Sequence, residues 1–456
     1  MVKARSKCGI YGIWSNEKNL EMIPSTLRGL QRMQHRGRES CGISYIDNTG
    51  SIKTDKTYGL VKDLHSRITG TTEVAVIGHV RYSTSGSKTG MGVVQPLQGD
   101  NFALAHNGNI PNLEILKNKL TKEISVMSFC KSLEGLNDTG VIKRILELMG
   151  IEPGIEFIVK HIPGAYSLTI LTNDAMYLVR DPMGFKPLCF TRVGETWYAS
   201  SESIALPKAN KTNVAPGSAY RIDRHGIRQI LHLPAERSSI CSFEFVYFMY
   251  YKTLSDTLYV DDVRHELGYS MVEDDKNIYP ENTIVIGSPN SGISYAKAYS
   301  KRSGIPYLRN ALRKERKERT FILPSNGERI SKIKKIMIVD KDLVSGNEVI
   351  LIDDSIVRGN TIRHVIKLLR DNGAIKVHVK VAFPKIISPC YYGIDFPTYE
   401  ELIGHKNTDE DICKIIGADS LQFSTVPALQ RALKNDIGDI CVSCLTDIHE
   451  VSNYEW

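Results

Sequence analysis

The chain of 456 residues contains no run of about 18 uninterrupted apolar residues, so no membrane-spanning helix is expected. No apolar segment follows the basic residues of Met1 to Lys7, which argues against a secretory signal and makes the cytoplasm the expected location. Internal repeats and low-complexity tracts are absent, and so is a basic tail: lysine and arginine exceed aspartate and glutamate by 58 − 51 = +7, spread along the chain. So small and dispersed an excess gives no reason to expect nucleic acid as a partner. The nine cysteines are odd in number and lie between Cys8 and Cys444, which is no disulfide framework; catalysis, metal binding or burial are their expected uses. With 42% apolar and 24% charged residues the composition is that of a folded globular protein, long enough for two large domains or three ordinary ones.

Two styles of organisation follow one another. Up to about Ile230 short β-rich runs dominate: Cys8 to Trp14, Cys41 to Ile46, Val74 to His79, Phe102 to Ala105, Tyr166 to Leu171 and Met176 to Arg180. Pro24 opens a predicted helix with Leu27, Leu30 and Met33 on one face, stopped by Gly37, and Val141 to Met149 reads as a second. Beyond Arg237 strand and helix alternate. Thr283 to Ile286 precedes Ser291 to Arg302, Val349 to Ile352 precedes Thr361 to Arg370, and Val377 to Phe383 is again β. Continuous apolar strands joined by helices predict a parallel sheet covered on both faces. The boundary is expected between residues 230 and 240.

The run Val349 to Thr361 is the most specific local signal. Four apolar residues end in Asp353 and Asp354, and Ser355, Ile356, Val357, Arg358, Gly359, Asn360 and Thr361 then lead into a helix. A turn at a helix start aims free N–H groups and the positive end of the helix dipole at one spot, where a phosphate can sit. Ser355 and Thr361 add hydroxyls, Gly359 permits close backbone approach, and the two acids suit ribose hydroxyls. The pattern resembles the phosphoribosyl pyrophosphate (PRPP) motif of type I phosphoribosyltransferases. The resemblance implies that Ser288-Pro289-Asn290-Ser291-Gly292 forms the pyrophosphate loop, with Ser291 and Gly292 as PRPP contacts, and that Ser291, Asp353 and Asp354 hold Mg2+. Asn290 stands where that family usually carries an acid.

Near the start, Cys8-Gly9-Ile10-Tyr11-Gly12-Ile13 resembles the mature N-terminus of class II glutamine amidotransferases, whose nucleophile is the first residue. A thiol needs a base near neutral pH, and a free α-amino group on the same residue would serve, which requires removal of residues 1–7 as a propeptide. His35 to Ser40, Gly78 to Thr84, Gln95-Pro96-Leu97, Ala105 to Asn109 and Asn137-Asp138-Thr139 follow in the order that family shows. In that arrangement Arg81 forks onto the α-carboxylate of glutamine with Thr84 beside it, and Asp138 pairs with its α-ammonium. The Asn107 side chain and the Gly108 N–H would meet the oxyanion.

Together the halves resemble the amidophosphoribosyltransferase family. The implied fold is an α+β four-layer N-terminal-nucleophile sandwich over residues 8–235, then an α/β phosphoribosyltransferase domain with a parallel sheet and a C-terminal cluster-binding segment over 236–456. The implied reaction is glutamine hydrolysis at Cys8 and transfer of ammonia to C1 of PRPP, giving 5-phosphoribosylamine, glutamate and pyrophosphate, the first committed step of purine nucleotide synthesis. Glutamine, PRPP and inhibitory purine nucleotides are the implied partners, in a homotetramer.

Ammonia would protonate and leak in open water, so an enclosed passage and a closing loop are expected, with the basic segment from Arg309 to Arg319 as the candidate loop. Cys441-Val442-Ser443-Cys444 could hold zinc or form a redox pair. With Cys241 and Cys390 at the family's other two positions, the resemblance implies a [4Fe–4S] cluster. The second centre departs from the family at Asn290, at Tyr250-Tyr251-Lys252 and at Lys314 to Glu318. A PRPP- or nucleotide-binding regulatory protein, or a glutaminase serving another acceptor, are the alternative readings.

Overall fold

A computed structural model describes residues 8–17, 21–68, 70–72, 74–82, 90–111, 113–114, 116–118, 133, 135–314, 337–394, 396, 398–433 and 440–449. Two antiparallel sheets come first. One contains β1 (Gly9–Ser15), β2 (Ser40–Ile46), β3 (Ile52–Tyr58), β4 (Ala75–Arg81), β9 (Cys189–Val193), β10 (Thr196–Ser200) and β11 (Thr212–Asn213), in the order β11-β9-β10-β1-β4-β2-β3. The other contains β5 (Leu97–Gln98), β6 (Phe102–Asn109), β7 (Ala165–Thr172), β8 (Met176–Arg180), β12 (Ser218–Asp223) and β13 (Gly226–His232), in the order β13-β12-β8-β7-β6-β5.

Alternation along the strands sends their side chains to two different layers. Ile10, Trp14, Ala75 and Ile77 of the first sheet meet Ala103, Ala105, Leu171 and Leu178 of the second. Tyr11, Ile13 and Val76 point the other way, onto Leu27 and Leu30 of the helix Met22–Arg32. On the far side, Phe102, Leu104, Leu168 and Ile170 pack on Ile142, Ile145, Ile155 and Ile158 of the helices Asp138–Met149 and Ile151–His161. Helix, sheet, sheet and helices make the expected four layers, and burial on both faces explains the unbroken burial of β1 and β2.

The parallel sheet follows: β17 (Thr283–Gly287), β20 (Glu348–Asp353), β21 (Lys376–Val381) and β22 (Ser420–Phe423), in that order. Val285, Ile350 and Ile352 face Tyr295 and Tyr299 of the helix Ile293–Ser303 and Val263 and Leu267 of the helix Val260–Glu273. Ile284, Val349 and Leu351 face Ile362, Val365 and Leu369 of the helix Asn360–Asp371. Three short ribbons complete the set: β15 (Leu254–Ser255) with β16 (Leu258–Tyr259), β18 (Leu312–Lys314) with β19 (Met337–Val339), and β14 (Ile240–Cys241) with β23 (Ile440–Cys441).

Some boundaries differ from the sequence reading. The first helix begins at Met22, with Pro24 inside its first turn, where a missing N–H costs nothing, and ends at Arg32. β6 continues past Ala105 to Asn109 because β7 pairs with it throughout, so His106, Asn107 and Gly108 lie on a strand. Residues 315–336, which include the last five residues of the candidate loop, lie outside the described residues. Among the described residues no helix is long and apolar enough to cross a membrane.

Candidate active site

Cys8 stands immediately before β1, buried where Gly9 pairs with Val80 of β4. That register sets the thiol under the backbone N–H of Tyr82 and within electrostatic reach of Arg81, Asp138 and Arg36. Burial pushes the thiol pKa up; the Tyr82 N–H and the two arginines work against that, and Asp138 adds to it. The three residues predicted to attack glutamine and hold its two charged ends are therefore together. Arg81 has Glu39 at 3.9 Å, and Asp138 accepts the Thr139 N–H at 2.8 Å in the first turn of its helix, which Asn137 caps. Thr84 lies outside the described residues, as do residues 1–7.

Asn107 is fully buried on β6, opposite Ser167 of β7, and shares the inward face of Ala103 and Ala105. The preceding carbonyl, that of His106, accepts a hydrogen bond from Nε2 of His79 at 3.2 Å, and His79 is the β4 residue opposite Ile10. The end of β6 is thereby stitched to the strand pair that presents Cys8. At Gly108 a Cβ would meet the Ala165 carbonyl at 2.1 Å and the His106 ring at 2.6 Å, so only glycine fits.

Sequence reading gave no role to the groups that hold this strand. The His106 N–H donates to Oε1 of Gln95 at 2.6 Å, Gln95 Nε2 donates to Oγ1 of Thr139 at 3.1 Å, and His106 Nδ1 lies 3.0 Å from the same hydroxyl. Burial keeps both histidines neutral, His79 down to about 3. The network ties the strand of Asn107 and Gly108 to the helix start carrying Asp138. Its members lie far apart in sequence, so only the quoted motifs, not the bonds, could have signalled it.

The second centre lies at the carboxyl end of the parallel sheet, where ligands of such sheets collect. Asp353 and Asp354 are buried, the Ser288 hydroxyl reaches Asp353, and Ser355 Oγ donates to Asp354 at 2.5 Å. Burial and then the neighbouring Asp354 raise the pKa of Asp353 well above the carboxylate range. The Ser288 N–H donates to the Ile352 carbonyl at 2.8 Å, and a Cβ on Gly292 would lie 2.2 Å from that carbonyl, so the predicted pyrophosphate loop rests on the end of β20. Gly359, with φ +76°, turns the chain into the helix Asn360–Asp371, leaving Asn360 and Thr361 exposed at its start. Ile356 is buried in the core, so any contact it makes with a phosphate comes from its backbone, and Arg358 is turned to Glu401 at 2.9 Å.

The centres face one another. Glu244–Phe248 forms a π-helical turn, and its Tyr247 is close to Tyr82, next to Cys8, and to both Asp353 and Asp354. Lys314 lies beside the same two aspartates and near Arg38 of the first half.

Cys241 and Cys441 are opposite each other in the β14–β23 register, and the Cys444 carbonyl accepts the N–H groups of Ile387 and Ser388 just before Cys390. The Cys444 thiol feels the other three cysteines and Cys441 feels Cys241 and Cys390; all four are buried in one apolar shell, with Cys241 pushed up to about 12. Among the described residues no three His, Cys, Asp or Glu converge on a single ion. Four buried thiols in one apolar cluster are the donor set that an iron–sulfur group takes. Asp353 and Asp354 offer two carboxylates, which fits an ion that takes its remaining ligands from water and substrate phosphates.

Residues 79–208 match the glutamine amidotransferase domain model. The amidophosphoribosyltransferase of Methanothermobacter thermautotrophicus is 34% identical over 473 residues, covering 99% of this chain and 98% of that protein. The solved glutamine PRPP amidotransferase of B. subtilis, complexed with ADP and GMP, is 33% identical with a TM-score of 0.84 over 97% of both chains. A structure described as the allosteric regulatory enzyme of purine biosynthesis matches at 33% identity and a TM-score of 0.86, over 97% of this chain and 96% of that one. With a buried cysteine at the head of a four-layer sandwich and two aspartates at the end of a parallel sheet, and with similarity that spans nearly the whole length of known relatives, the chain belongs to the amidophosphoribosyltransferase family.

Proposed function

We propose that the protein hydrolyses glutamine at Cys8 and delivers the ammonia to C1 of PRPP, forming 5-phosphoribosylamine, glutamate and pyrophosphate, as a glutamine-dependent transferase of purine biosynthesis. The observation that carries this reading is the similarity to amidophosphoribosyltransferases along nearly the whole chain, with Tyr247 within electrostatic reach of Tyr82, Asp353 and Asp354. Once residues 1–7 are removed, the α-amine of Cys8 takes the thiol proton and the sulfur attacks the carboxamide. Arg81 and Thr84 hold the α-carboxylate and Asp138 the α-ammonium, while Asn107 and Gly108 stabilise the oxyanion, worth about 3 to 4 kcal/mol per donor in comparable sites. Ammonia leaves as the thioester forms, and water then releases glutamate.

In the second centre Asp353 and Asp354 receive the ribose hydroxyls. The 5′-phosphate lies on the backbone of Ser355 to Thr361, and the pyrophosphate on Ser291 and Gly292. Ammonia attacks C1 and pyrophosphate departs with the bonding pair. Magnesium, held by Ser291, Asp353 and Asp354, would supply positive charge against the diphosphate. Cys241, Cys390, Cys441 and Cys444 would hold a [4Fe–4S] cluster in a structural or oxygen-sensing role, since the reaction has no electron step. Residues 8–235 and 236–456 act as the two functional domains of a cytoplasmic homotetramer inhibited by purine nucleotides.

Supplying glutamine labelled with 15N in the amide, with PRPP and magnesium, tests the reading. The label is expected on C1 of the pentose. Unlabelled product, or none, would remove the transfer from this protein.

A further inference from the structure

Arg36 lies inside the junction between the halves with no exposed side-chain surface. Its Nε donates to the Cys8 carbonyl at 2.9 Å, its Nη1 to Glu202 at 2.8 Å and to Glu244 at 3.0 Å, and its Nη2 to the other Glu244 oxygen at 3.1 Å. Four of the five guanidinium N–H groups are thus used, one on the nucleophile's own backbone. Glu244 also has the fully buried Lys186 at 3.5 Å. Glu202 takes His35 at 2.9 Å, the Tyr250 N–H at 2.9 Å and the Thr253 hydroxyl at 2.8 Å. The two cations Arg36 and Lys186 balance the two carboxylates with no exposed side-chain surface among the four, and the half-buried His35 is the cluster's side toward water.

Such a cluster is a poor way to gain stability, because apolar residues of the same volume would hold a junction as well without desolvating four charges. What it does provide is direction. Glu244 opens the π-helical turn whose Tyr247 adjoins Asp353 and Asp354. Next to Arg36, Gly37 is pressed on the end of β4, where a Cβ would lie 2.5 Å from the Arg81 backbone nitrogen. The short stretch from His35 to Glu39 therefore touches the turn, the nucleophile and the strand end that carries Arg81.

We propose that Glu244 is a positioning residue for the Cys8 nucleophile: through Arg36 it fixes the Cys8 carbonyl, and with it the amine and thiol of the same residue, when the turn beside the PRPP centre is seated. The inference rests on the reading that Cys8 attacks glutamine. In Glu244→Gln the side chain keeps its shape and one acceptor but loses its charge. The glutamine-dependent kcat is expected to fall by about 10- to 100-fold, with KM for glutamine and the ammonia-dependent rate within about twofold of the parent. Alkylation of Cys8 by iodoacetamide should slow by a similar factor, and Glu244→Asp should recover part of the loss. If Glu244→Gln is insoluble, the charge-balanced pair Lys186→Met with Glu244→Gln replaces it. A parallel fall of both rates, a change confined to KM, or unchanged kinetics and alkylation would overturn the proposal. Absence of glutamine-dependent activity in the parent protein would count against the reading of Cys8 instead, and the alkylation rates would still decide the role of Glu244.

Discussion

At Cys8 the reactive group is walled in by side chains from separate stretches of antiparallel sheet, whereas at Asp353 and Asp354 one contiguous run lies at the open end of a parallel sheet. The first centre works through the identity of side chains far apart in sequence. Much of the second is backbone, in the amides that open a helix and a loop resting on a strand end. Enclosure suits a step that must retain ammonia, and openness suits a large, charged substrate that brings its own cation. Each centre should accordingly fail in its own way.

The largest expected effect separates them outright. Cys8→Ala should lower glutamine-dependent synthesis by more than about 1,000-fold and leave ammonia-dependent synthesis within twofold. Equal loss of both would erase the division of labour. Asp354→Ala is the converse: synthesis with either nitrogen source should fall by about 10- to 100-fold, the worth of charge-assisted hydrogen bonds to the ribose, while glutamate release without PRPP persists. Glutaminase loss in that variant would mean that the centres are one structure and not two.

The smallest effect concerns stability. Asp353 titrates well above its unfolded value, so its contribution to folding is full below about pH 4 and is lost as pH rises through the folded value. At neutral pH the buried Asp353 carboxyl is a net cost. Asp353→Asn should therefore raise Tm by about 2 °C at pH 7.5, with the gain vanishing towards pH 4, and magnesium should stabilise the parent protein more than the variant. Thermal scans across pH would show no such convergence if Asp353 titrated as an ordinary carboxyl.

Legibility followed the same contrast. The run Val349 to Thr361 gave strand, turn and helix together, because neighbours in sequence are neighbours in space there. Around Cys8 the motifs were readable but the bonds joining Gln95, His106 and Thr139, or Arg36, Glu202 and Glu244, were not. The Val260–Glu273 helix escaped for a local reason. Its buried face includes Arg264, which donates to the carbonyls of Phe245 and Met249, and Gly268, where a Cβ would strike the neighbouring helix at Ala298. The helix Ile151–His161 was obscured by Pro153 and Gly154 in its first turn, where the missing N–H has no intrahelical partner to lose.

β14 and β23 pair residues that are 441 − 241 = 200 positions apart at Cys241 and Cys441, and the Ser242 hydroxyl adds a bond to the Cys441 carbonyl at 2.8 Å. During translation the earlier strand emerges roughly 10 to 40 s before its mate exists, at the usual pace of about 5 to 20 residues per second. Until then β14 waits with an unpaired edge, and Cys241 has no strand opposite it.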